Sequence, residues 1–114
     1  MLVKNETSKK IIARYAIPCK SIVSQTLGLM GFTKIDPLVF MFKEEKRHSF
    51  HMFFVFASID MIFLDRNKQI VELKENFKPF HTYNPINKTQ YVLELPKGAI
   101  LESKSKLGDT VSFK

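Results

Sequence analysis

The sequence predicts an α+β protein that is predominantly β: a compact, partly closed antiparallel sheet of about seven strands with two short helices. Three observations carry this expectation. Short runs rich in β-branched and aromatic residues alternate with turn residues along the chain. Pro18 and Pro96 each stand where a strand-like run ends and a helix-like one begins. Gln69 to Asn76 places Ile70, Glu72 and Lys74 on one face and Val71, Leu73 and Glu75 on the other, the period of a strand.

Taken in order, Met1 to Lys9 is polar and is expected to be a flexible N-terminal segment ahead of a single globular domain over residues 10–114. Lys9 to Ile17 reads as a first strand that Pro18 stops. Ile22, Val23, Leu27 and Met30 recur at helical spacing, so Cys19 to Met30 is predicted to be a short amphipathic helix ending at Gly28 and Gly31. Leu38 to Lys43 is a second strand and Glu44 to Arg47 a charged turn. Ser49 to Asp65 is too long for one strand and is divided at Ala57-Ser58. Asp65 to Lys68 is a hairpin turn, with Asn67 the expected left-handed residue. After the alternating strand, Phe77 to Thr89 is a long loop with two prolines, of a length at which loops are often functional. Gln90 to Pro96 is a strand, and Pro96 opens a second helix through Ile100, Leu101 and Leu107. Gly108-Asp109 turns the chain into a last strand, Thr110 to Phe113.

At 114 residues the chain is long enough to bury a core without disulfides. Cys19 is the only cysteine, which excludes an intramolecular disulfide and any multi-cysteine zinc site. The N-terminus lacks the basic and apolar regions of a secretory signal, so a cytoplasmic location is expected. The net charge is +7, which favours contact with nucleic acid, anionic lipid or acidic partners. The lysines are spread along the chain, as on a solvated surface.

The most apolar stretch, Phe50 to Leu64, has 15 residues, all but His51, Ser58 and Asp60 apolar. A spanning helix needs roughly 20 residues. No membrane span is expected, and a strand buried on both faces fits better. Asp60 inside it then needs hydrogen-bond donors or a cation, because a buried carboxylate is costly otherwise. Either it accepts backbone N–H groups from a neighbouring turn, or it lines a pocket. His51 is read as a packed strand residue or a ligand contact. His48 and His51, three apart, point to opposite faces of a regular strand and should not share a metal. His81 lies in the long loop within possible reach of either. Glu94, between Leu93 and Leu95, is expected to face solvent. No catalytic triad, phosphate-binding glycine loop or zinc spacing is present, so no catalytic residue, metal or cofactor is assigned.

Four blocks then give the sequence a family likeness: Leu27 to Met30 (LGLM), Phe50 to Asp65 (FHMFFVFASIDMIFLD), Tyr91 to Gly98 (YVLELPKG) and Leu107 to Asp109 (LGD). In this order and spacing they resemble the domain-of-unknown-function 192 family of small bacterial and archaeal proteins, over residues 10 to 113. The resemblance implies a small fold with a predominant β component and supplies no function. By position, Asp60 matches the family's aspartate and Met52 its methionine. His51 stands where the family usually has Trp, Phe53, Phe54 and Val55 replace a usually polar trio, and Ser58 replaces Pro. A ligand read through that trio would not carry over to this chain.

Three functional readings follow. The first is a non-catalytic module that binds a ligand or protein partner near His51, Asp60 and His81. The second is a basic β domain that binds nucleic acid, with Tyr15, Tyr83 and Tyr91 as candidate stacking residues. The third is an enzyme using Asp60 with His51 or Glu94 for acid–base chemistry. The expected state is a monomer or weak homo-oligomer, since exposed strand edges pair readily.

Overall fold

The computed structural model of the protein describes residues 1–20, 37–48, 50–51 and 58–114. The strands are β1 (Val3–Asn5), β2 (Lys10–Ala13), β3 (Ile17–Cys19), β4 (Leu38–Lys46), β5 (Phe50–His51), β6 (Ile59–Leu64), β7 (Ile70–Phe77), β8 (Thr82–Tyr83), β9 (Thr89–Pro96) and β10 (Val111–Phe113), with one helix, α1 (Ala99–Glu102), before β10. A five-stranded sheet has the order β3-β4-β9-β6-β7, a three-stranded sheet the order β10-β1-β2, and β5 and β8 form a separate ladder.

The predominantly β expectation holds, but in a different arrangement. The large sheet is open, ending at β3 and β7, rather than partly closed. The described residues contain more strands than expected and one helix of four residues. The sheet is also mixed, because β3 runs parallel to β4.

β6 accounts for the second half of the apolar stretch, whereas residues 52–57, most of the strand expected before the division at Ala57-Ser58, lie outside the described residues. β6 lies between β7 and β9, and all six of its residues are buried. Ile62 and Leu64 join Leu93, Leu95, Val39 and Ile70 in one core, closed by Val3, Ile12, Ile100 and Val111. Ile59, Met61 and Phe63 point the other way and join Cys19, Phe40, Phe77 and Val92 in a second core. A strand with apolar packing on both faces needs no polar alternation.

The other differences have local causes. The expected first strand divides at a bend over Arg14-Tyr15, so β2 joins the small sheet and β3 the large one. Pro18 sits inside β3 instead of opening a helix; β3 is an edge strand, where a missing N–H is tolerated. Cys19, expected at a helix start, closes that strand, and the remainder of the predicted helix lies outside the described residues. Residues 1–9, expected to be flexible, carry β1, the middle strand of the small sheet, with Val3 and Asn5 fully buried. Asn5 anchors the turn that follows, its side chain accepting from the Thr7 and Ser8 N–H groups and donating to Asp109 and Ser105.

In the hairpin between β6 and β7, the left-handed residue is Lys68 (φ 60°) rather than Asn67. The Asp65 carboxylate accepts from the Asn67 and Gln69 N–H groups and sets this turn. A bulge beside Phe63/Leu64 then breaks the strict alternation of β7. Ile70 and Leu73 therefore share one core despite their odd spacing. The second helix stops after Glu102, and Lys104 turns to φ 52°.

Candidate functional site

The large sheet places two buried carboxyl groups in its centre, on opposite faces. Asp60 pairs with Leu95 across the β6–β9 ladder, and the next residue, Met61, pairs with Glu94. Directly opposed residues share a face, and successive residues alternate. Asp60 therefore lies on the α1 side with Leu95, and Glu94 on the other side with Met61. An acid–base pair of Asp60 and Glu94 is incompatible with this register.

Asp60 is 2 % exposed and its donors are all backbone. Oδ1 accepts from the Asn76 N–H at 3.0 Å. Oδ2 accepts from the Gly98 N–H at 3.1 Å and the Ile100 N–H at 3.0 Å. Asn76 (φ 51°) and Gly98 (φ 97°) are both left-handed, so the aspartate holds an irregularity near the end of β7, where the β6–β7 register shifts, and the turn before α1. Each N–H would otherwise lack a ladder partner at that point. The carboxylate thus joins three segments that are distant in sequence.

Glu94 has the opposite environment. It was expected to face solvent, yet it is fully buried, because β9 is the central strand and both of its faces are covered. Its register neighbours are Leu38 on β4 and Met61 on β6. Phe40 and Phe63 both pair with Val92, one step along the same face. Among the described residues neither Oε1 nor Oε2 has a hydrogen-bond partner. Burial pushes its carboxyl well above the usual glutamate value of 4.5. The Cys19 thiol, on the same face, is pushed up by burial and then by Glu94. Sequence reading missed Glu94 by judging it from Leu93 and Leu95. The useful signal was Val92, two residues away on the same face and apolar.

The aromatic side of this face continues to β8. Tyr83 packs on Phe63 and Phe77, with centroids 5.7 and 6.1 Å apart. Its hydroxyl donates to Glu72, which also accepts from the Ile86 and Asn87 N–H groups and from Asn87 Nδ2. Burial raises the Glu72 carboxyl, but these donors outweigh it and hold the group below the ordinary value. Burial, the hydrogen bond to Glu72 and its charge together push the Tyr83 phenol up to about 12. The predicted loop over 77–89 is therefore a pinned segment containing β8.

Of the other predicted site residues, His51 pairs with Thr82 in the β5–β8 ladder, which brings its backbone beside the neighbour of His81. His81 is exposed, and its Nδ1 lies 2.9 Å from the Pro79 carbonyl oxygen. Asp60 is held elsewhere, by the three backbone donors. His48 stacks on Phe42 at 3.5 Å between centroids, and its buried Nε2 has no hydrogen-bond partner among the described residues. Burial and then Lys46 push its imidazole below the ordinary value. Among the described residues no three His, Cys, Asp or Glu side chains converge as a metal site. The candidate stacking tyrosines are dispersed: Tyr15 is exposed, Tyr91 packs edge-on against Phe113, and Tyr83 is engaged by Glu72. Among the same residues no helix is long and apolar enough to cross a membrane.

Together these features define a small, mostly β domain built on an open mixed sheet. A buried aspartate fastens its turns on one side, and an unpartnered glutamate faces an aromatic layer on the other. The same fold occurs in the crystal structure of a protein of unknown function from Novosphingobium aromaticivorans DSM 12444. That match has a TM-score of 0.87 and 22% identity, and covers 99% of this chain and 84% of that one. The chain belongs to the domain-of-unknown-function 192 family, described as an uncharacterized ACR, whose model matches residues 3–113. Archaeal relatives agree. The UPF0127 protein of Thermococcus sibiricus is 38% identical over 112 residues, 96% of this chain and 72% of that protein. UPF0127 protein PH1112 of Pyrococcus horikoshii is 36% identical over 95 residues, 82% of each.

Proposed function

We propose that this chain is a non-catalytic binding module whose ligand meets the Glu94 face of the five-stranded sheet. The observation that carries this reading is Glu94 itself: a fully buried carboxyl group with both oxygens unpartnered among the described residues, set among Met61, Phe40 and Phe63. Native structures rarely leave a buried polar group without a partner. Ligand sites combine apolar, aromatic walls with a few polar groups that fix orientation, which is this composition.

His51 and His81 enter the proposal as rim residues. The β5–β8 ladder sets their backbones near one another, and Tyr83 carries that ladder onto Phe63 and Phe77 of the same face. Asp60 contributes through the turns that it holds. Catalysis by Asp60 with Glu94 has no support in the register, which places the two on opposite faces.

Titration of the ¹⁵N-labelled protein with n-pentanol, a small neutral amphiphile, tests the reading. The amide signals of Met61, Val92, Glu94 and Thr82–Tyr83 are expected to move together and saturably. Signals that stay still, or that move only at other strands, would show that this face binds nothing of the kind.

A further inference from the structure

Glu94 is the one carboxyl group among the described residues that is fully buried and lacks a partner on both oxygens. Such a group is satisfied either by a hydrogen-bond donor or by a cation that replaces its proton. The groups around it discriminate between kinds of cation. Leu38 and Met61 stand directly opposite it, and Phe40 and Phe63 flank it at the next row. Hard metal ions such as calcium take about six to eight oxygen ligands. Beside Glu94 the described residues offer hydrocarbon, thioether and phenyl groups, and the next carboxylate on this face, Glu72 opposite Phe63, is already engaged by Tyr83, Ile86 and Asn87. An organic ammonium ion needs less: one carboxylate for its N–H donors, ring faces for its charge and apolar surface for its alkyl body.

We propose that Glu94 anchors a site for a small organic ammonium ion, with Phe40 and Phe63 as the aromatic walls and Met61 against the alkyl chain. The proposal rests on the binding-module reading and names its ligand class. The exchange balances simply. The Glu94 carboxyl group gives up its proton to solvent, and the carboxylate so formed accepts N–H hydrogen bonds from the ammonium ion. No covalent bond to carbon forms or breaks. The other titratable groups on this face among the described residues are the Cys19 thiol on β3, which burial pushes up, and, one strand further out, Lys74 opposite Met61, Glu72 opposite Phe63 and Tyr83 against Phe63. Lys74 lies over the Tyr83 ring, Glu72 is held below the ordinary value by its donors, and the Tyr83 phenol is pushed up to about 12. β4 and β6 present Leu38, Phe40, Met61 and Phe63 there, none of them titratable. The proton released on binding therefore comes from Glu94.

The test compares n-pentylammonium with n-pentanol, which share an alkyl chain and differ in charge. Calorimetry in two buffers of different ionisation enthalpy counts protons, and amide shifts locate binding. The expected result is a saturable shift at Met61, Val92 and Glu94, with release of about one proton per ammonium ion. Affinity for the ammonium ion should rise about tenfold per pH unit while Glu94 remains protonated in the free protein. Glu94→Gln should lose the preference for n-pentylammonium and keep n-pentanol binding. If that variant does not fold, the proton count and pH slope of the unaltered chain decide. Equal affinity for the two probes at these amides, without proton release, would overturn the ammonium inference and leave the binding module intact. Failure of both probes to move these amides would overturn both.

Discussion

Replacing Asp60 removes one acceptor group from three places at once, and its three hydrogen bonds set the size of the effect. Oδ1 serves Asn76, and Oδ2 serves Gly98 and Ile100. In Asp60→Asn the single amide oxygen can take the Oδ2 position and keep two of these bonds, now without charge. The amide NH₂ then faces the Asn76 N–H, donor against donor. Losing one hydrogen bond to a charged group costs about 1.5–3 kcal/mol. Weakening the other two adds to this, so a total loss of about 2–4 kcal/mol is expected. In Asp60→Ala all three N–H groups lose their acceptor. Each buried unsatisfied group costs about 1–3 kcal/mol, partly offset because no carboxylate is buried, which suggests a loss of about 3–5 kcal/mol. Domains of this kind are stable by about 5–15 kcal/mol, so the alanine variant should lie close to unfolding. Urea denaturation followed by circular dichroism measures the order: unaltered chain, then Asp60→Asn, then Asp60→Ala. Amide hydrogen exchange at Asn76, Gly98 and Ile100 should accelerate in both variants. A loss under about 0.5 kcal/mol for Asp60→Asn, the range of an uninvolved surface site, would refute the holding role.

Glu94 makes stability depend on pH with a definite sign. Its folded-state pKa is raised above the ordinary 4.5, so its contribution is fully present below that value and is lost as pH rises towards the folded-state pKa. Over that window the folding equilibrium should weaken by about tenfold per pH unit, read as a falling urea midpoint. Glu94→Gln should lack this fall, and parallel profiles for the two proteins would contradict the assignment. Glu72→Gln removes the charge and one of the two acceptor oxygens that pin Tyr83, Ile86 and Asn87. The Tyr83 phenol, now held at about 12, should titrate lower by ultraviolet absorbance, and the Ile86 and Asn87 amides should exchange faster. An unchanged Tyr83 titration would show that burial alone sets its value. Gly98→Ala meets no atom within 4 Å, so its cost is the backbone strain of φ +97°, about 1–2 kcal/mol by thermal or urea unfolding. Gly108→Ala, at φ +89° and equally uncrowded, should cost a similar amount.

Local signals located many of the elements. The polar break at Ser58 falls just before β6 within the apolar stretch, and the Asp65 to Lys68 turn is where its residue types put it, because Asp side chains cap tight turns locally. The family blocks around Asp60 and Tyr91 to Gly98 were also readable as strings. Signals failed where a strand's meaning depends on its neighbours. Pro18 looks like a strand stop, but an edge strand tolerates it. Residues 1–9 look polar enough to fray, but β10 and β2 pair with β1 from either side.

The two carboxylates divide the matter most clearly. The residues alone determined a mostly β chain, its turns, its family likeness and the need of a buried Asp60 for donors, because propensity, hydropathy and desolvation act locally. Only the tertiary structure decided which donors came: they lie 16, 38 and 40 residues away in sequence. It also turned Glu94 from an apparent surface residue into a buried one. Exposure belongs to a strand's place in the sheet, and β9 lies at the centre of this one with both faces covered.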